Sequence, residues 1–141
     1  FIAVQLGGSW GSQADSQPVP TKSELALGAA RDAQRRADVS TILNATHQYA
    51  IDHDGAFPQG ITETPTEICG TIQEADGSYT AVPMEDCVDL FPFFKDFLMR
   101  MPSDPQAPQG RTWYRISRTA DGKINAMADT HDGAASIAVT R

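Results

Sequence analysis

The feature that most constrains this chain is a helical stretch from Thr21 to Asp54 whose pattern nothing but Gly28 interrupts. Thr21-Lys-Ser-Glu24 has capping-box spacing: a hydroxyl that accepts from a free helix N–H, and a carboxylate three residues on that reaches back. Pro18 and Pro20 stand just outside, where a helix does not readily extend. At the far end Gly55 suits the left-handed residue that closes a helix, and Pro58 blocks its resumption. At ~1.5 Å per residue the element is on the order of 50 Å long. A rod of that length beside a small β-rich remainder makes sense as a spine that packs against copies of itself.

The two halves of this helix differ in character. Val39, Ile42, Leu43, Thr46, Tyr49 and Ala50 follow i, i+3, i+4, i+7 spacing, a stripe able to lie on a sheet. In the first half Leu25, Leu27, Ala30, Ala33 and Ala37 offer mostly small side chains, a surface that another helix could approach closely or that could stand in water. Asp32, Arg35 and Arg36 beside them read as a solvated face whose pairs contribute only ~0.2–0.5 kcal/mol each. Asp52 and Asp54 fall where the helix dipole disfavours acids, and nothing local accounts for them.

The length of 141 residues fits one domain, residues 21–141, preceded by a Gly/Ser- and Pro-rich segment over residues 1–20. A formal charge of −7 opposes bulk attraction to nucleic acid or anionic lipid. The apolar run Phe1-Ile-Ala-Val-Gln-Leu6 is far short of the ~20 residues a membrane-spanning helix needs. Cys69 and Cys87 lie among turn residues, so a disulfide is expected, closing a loop of ~19 residues and contributing on the order of 3 kcal/mol. The bridge implies an oxidising compartment, whereas free thiols would imply a reducing one.

The expected class is α+β: the long helix packed on a small antiparallel sheet of three to four strands, with one disulfide loop. Residues 55–88 read as a connection, with Ser78-Tyr-Thr-Ala-Val82 its one plausible strand. Residues 89–99 read as a short helix capped by Asp89, with Pro92 early in it and Phe93, Phe94, Phe97 and Leu98 buried. Alternation then predicts strands at 111–118, 123–129 and 134–140, the first two joined through Asp121-Gly122.

The segment Ala30-Arg-Asp-Ala-Gln-Arg-Arg-Ala-Asp38, then Ile42-Leu43, Tyr49 and the turn from Asp52 to Pro58, resembles the helix and helix exit of type IV pilins and their pseudopilin relatives. The Cys69–Cys87 loop, Met101-Pro-Ser-Asp-Pro105, and Trp113-Tyr114 followed by Asp121-Gly122 resemble that family's remaining landmarks, in order, from about Glu24 to Arg141. The nearest likeness is to disulfide-containing pilin-like proteins of small-genome bacteria. The resemblance implies a non-catalytic subunit of an extracellular helical filament serving adhesion, motility or DNA uptake, made of many copies of this chain. Alternatives are a periplasmic pseudopilin of a type II secretion-like apparatus and a soluble secreted or periplasmic binding module.

In the family the helix begins with a methylated aromatic residue and carries a glutamate soon after. Phe1 matches, but position 5 is Gln5 and the apolar run ends at Leu6. The expectation is that residues 1–20 replace a removed membrane segment. The alternative is an extended arm that adds Phe1 to Leu6 to a neighbour's sheet. Anchoring in an inner membrane is expected only where an apolar helix precedes the domain.

Signals for chemistry are few. His47, His53 and His131 lack the spacing of a zinc site, and no nucleophile–base signature or phosphate loop stands out, so neither an enzyme nor a cofactor is expected. Asp121, Asp129 and Asp132 are weak calcium candidates, read more simply as turn residues. Arg111, Trp113 and Arg115 alternate onto one strand face and could stack on and neutralise single-stranded nucleic acid, against the chain's net charge.

Overall fold

The protein is described by a computed structural model comprising residues 19, 21–129 and 136–141. The expectations for Phe1, Gln5 and the rest of 1–18, for Pro20, and for Asp132 and His131 lie outside these described residues. The first helix, α1, spans Lys22–Asp52. Its capping box forms as the sequence predicts: Glu24 N donates to Thr21 Oγ1 at 3.1 Å, and Thr21 N donates to Glu24 Oε1 at 3.0 Å. That bond to the Thr21 backbone holds the Glu24 carboxyl below its usual range.

The helix ends differently from expectation, two residues early and with the left-handed position taken by an aspartate. Asp54 has φ 56° and Gly55 φ 89°, and Gly55 N donates to the Ala50 carbonyl at 2.7 Å. His53 is the C-cap, so this is the six-to-one bond of a Schellman turn with Asp54 at C′ and Gly55 at C″. A short polar residue tolerates that conformation better than most, which gives Asp54 the local reason the sequence lacked.

The sheet is larger than expected and mixed. Strands β1 (Thr66–Cys69), β4 (Cys87–Val88), β5 (Arg111–Arg118), β6 (Ile124–Ala128) and β7 (Ile137–Thr140) lie in the order β4-β1-β5-β6-β7. The predicted three-strand meander is present within it as β5, β6 and β7. Its tight turn is closed by Gly122 at φ 89° and by Thr119 and Lys123 pairing backbone to backbone. Strand β1 adds antiparallel to β5 and β4 adds parallel to β1, both from the stretch read as connection. A second, two-stranded sheet joins β2 (Thr71–Gln73) to β3 (Tyr79–Ala81). The β-branched Thr66, Ile68, Thr71 and Ile72 were the available signal for these strands, outweighed by the Pro, Gly and acidic residues around them.

Alternation within β6 buries Ile124, Ala126 and Ala128 completely. Against them α1 lays Val39, Ile42 and Leu43, all at zero exposure, each burial stabilising by roughly 1.5–3 kcal/mol. The expected second short helix contracts to α2, Phe91–Phe94, with Leu90 rather than Asp89 at its N-cap and no side-chain cap bond. Leu90, Phe91 and Phe94 enter the core, while Phe93, Phe97 and Leu98 pack only partly against it. Apolar side chains on every side of so short a segment cannot all face inward in one regular helix. At Gly70, between β1 and β2, a Cβ would sit 2.5 Å from the Gly110 carbonyl oxygen, so glycine permits the close approach that brings β5 alongside.

Candidate functional site

From Lys22 to Arg31 no residue of α1 is buried, and Leu25 and Leu27 are 60% and 56% exposed. Ala30, Ala33 and Ala37 are exposed as well. These five do not form one stripe, however. At about 100° per residue Leu25 and Leu27 lie roughly 200° apart, while Ala30, Ala33 and Ala37 cluster on the side away from the sheet. The first three turns are thus open around most of their circumference, and the small-residue face continues outward above the packed half.

Directly beneath that face lies the site the sequence misread. Arg35 is not solvated but wholly buried. Its Nε and Nη2 donate to Asp104 Oδ2 and Oδ1 at 2.6 and 3.1 Å, Nη1 donates to Asp32 at 2.7 Å, and Nη2 also reaches Gln106 Oε1 at 2.8 Å. One helical turn on, Asp38 accepts from Tyr114 OH at 2.6 Å and from Gln34 Nε2 at 2.7 Å. Burial raises the Asp38 carboxyl above its usual range, and burial plus the bond to Asp38 raises the Tyr114 phenol. The fork of Arg35 on Asp104 fastens helix to loop over 69 residues of sequence. Because every one of these groups is engaged by its neighbours, the cluster suits rigid attachment rather than proton transfer.

The two cysteines are bonded, Cα–Cα 5.0 Å, tying the end of β1 to β4 at one sheet edge. Arg111, Trp113 and Arg115 do share a side of β5, half-buried, while Thr112, Tyr114 and Ile116 face the core. Between the pairs Glu67–Arg115 and Cys69–Arg111, β1 contributes only Ile68 and β5 three residues, a bulge in which Trp113 takes φ 58°. The groups displaced from the ladder find side chains: Thr112 Oγ1 donates to the Ile68 carbonyl at 2.6 Å, and Trp113 N donates to Glu67 Oε2 at 3.3 Å. A left-handed tryptophan is strained by the order of 1–3 kcal/mol, a cost the surrounding pairing offsets.

Each arginine of this stripe already holds a carboxylate. Arg111 forks onto Glu67, which raises its pKa, and Arg115 Nη2 donates to Asp129 Oδ1 and Oδ2 at 2.9 and 3.0 Å. The stripe therefore presents little net positive charge for a phosphate backbone. The two calcium candidates among the described residues do not converge: Asp121 lies in the β5–β6 turn bonded to Thr119, Asp129 at the opposite end of β6 bonded to Arg115. Among the described residues no group of three or more His, Cys, Asp or Glu is placed to hold a metal ion. His53 stacks on Tyr49 and donates from Nδ1 to the Tyr49 carbonyl at 2.8 Å, and half-buried His47 packs edge-on to Phe57.

Fold and surfaces together define an α+β domain clamped to the middle of a long helix. Compared with family models, with curated proteins and with solved structures, the chain matches none. No helix among the described residues is long and apolar enough to cross a membrane.

Proposed function

We propose that this chain is an exported structural subunit that assembles with copies of itself through the first half of α1, in a cell-surface filament of the type IV pilin kind. The observation that carries the reading is the exposure of Leu25 and Leu27 on a helix whose second half buries Val39, Ile42 and Leu43 completely. Apolar side chains on ordered, capped helical turns are a surface that gains from being covered. The buried Arg35 clamp and the disulfide support the same reading, since a subunit that bears load through its helix needs that helix fixed to its body. The disulfide also favours an oxidising location, the cell surface or periplasm.

The test is electron microscopy of native material from the producing cells, with an antibody raised against this domain. Thin helical filaments that carry the label along their length are the expected result. Label confined to monomeric, soluble protein would reject the proposal.

A further inference from the structure

The outer face of β5 carries a second feature, independent of assembly. Trp113, Glu67, Arg115 and Asp129 line a cleft of about 150 Å³, small enough for a single ring. Arg115 and Asp129 are 39% and 50% exposed along their side chains, so a ligand can reach both. The Arg115 Nε is buried with no hydrogen-bond partner among the described residues, so a ligand meets the outer, exposed part of the guanidinium. Trp113 is held beside these groups by the β5 bulge, in the left-handed conformation that side chains rarely adopt.

The chemistry of this lining selects among ligands. Among the described residues Glu67 and Asp129 outnumber Arg115 in the lining, and Arg111 just beyond it is shared between Glu67 and Asp86, so the cleft offers no excess positive charge to an anion. Fixed carboxylate–guanidinium pairs do offer acceptors and donors side by side. A hydroxyl needs both, because it donates one hydrogen bond and accepts others. An indole adds a flat apolar wall with a polar tip, suited to the C–H face of a saturated ring. We infer that the Trp113 cleft binds a neutral sugar ring, its hydroxyls bridging the Arg115–Asp129 pair and Glu67 while its C–H face rests on Trp113. Nucleic acid is the disfavoured occupant, since its affinity comes mainly from uncompensated positive charge.

The site is tested on the full chain carrying Trp10→Phe, which leaves Trp113 as the one indole. Glucose, galactose, mannose and N-acetylglucosamine are titrated, each as free sugar and as methyl glycoside, with indole emission as the readout. A saturable change for at least one, with Kd on the order of 1 mM, is expected. Response to the glycoside as well as the free sugar assigns the site to the terminal ring of a glycan, and response to the free sugar alone assigns it to a soluble monosaccharide. By backbone NMR shifts at Arg115 and Asp129, Trp113→Gly abolishes binding while keeping the fold, because glycine accepts φ 58° without strain. Asp129→Asn weakens binding about tenfold or more, the loss of one charge-assisted bond. The inference is overturned if every sugar is silent up to ~100 times the expected Kd. It is equally overturned if Trp113→Gly binds as well as the parent, or if inorganic phosphate or oligothymidylate binds more tightly than any sugar.

Discussion

The two ends of α1 are one continuous helix with opposite relations to the rest of the molecule. From Asp38 to Ala50 the helix is held by a dry stripe against β6 and β7 and by the core around α2. From Lys22 to Ala30 no residue is buried, and the end is closed by its capping box. Between them, Asp32, Arg35 and Asp38 make a polar joint. An isolated helix of about ten residues is marginal in water. The free end is therefore helical because the joint and the packed half nucleate it, and because the cap satisfies its first amides.

Breaking the joint should have the largest effect. Arg35→Ala strands Asp104 and Asp32 without their cation, and a loss of ~3–5 kcal/mol of stability is expected by urea unfolding. Arg35→Met with Asp104→Leu and Asp32→Asn, which removes all three charges, should recover much of that loss.

Next is the covalent tie on the far edge of the sheet. Reduction, or Cys69→Ala with Cys87→Ala, should cost on the order of 3 kcal/mol by the same measurement. Hydrogen exchange should localise the loosening to β1 and β4 and leave both ends of α1 unchanged.

A smaller, pH-dependent effect sharpens the joint's role. The Tyr114 phenol is raised above its usual value of 10.0, so the folded state keeps its proton where the unfolded state loses it. That contribution is fully present below pH 10.0 and is lost as pH rises toward the folded value. The parent's stability should thus fall with pH above 10.0, and Tyr114→Phe should show a slope shallower by one proton.

How much of this was legible in the residues follows the range of the interactions. The capping box, the apolar stripe from Val39 to Ala50, the β5–β6 turn at Asp121-Gly122 and the alternation in β6 are local patterns, and each is found where the sequence puts it. The joint is not local. Asp32 and Arg35 have the spacing of an ordinary surface pair, and Asp104, from the distant proline-rich segment Met101-Pro-Ser-Asp-Pro105, makes them interior. Strand β1 likewise depends on partners 44 residues away, Arg111 for Glu67 and Thr112 for Ile68. The Trp113 bulge left no mark in an alternating pattern that looked regular, because the left-handed residue keeps its neighbours on the faces they already had.

The smallest expected change in stability accompanies the most direct test. Leu25→Asp with Leu27→Asp alters exposed positions only and should shift unfolding by within ~0.5 kcal/mol. Sedimentation equilibrium of parent and double variant across a wide concentration range should show the parent associating and the variant monomeric. A parent that stays monomeric throughout, or a variant that associates equally well, would contradict the assignment of the free helical end as the assembly surface.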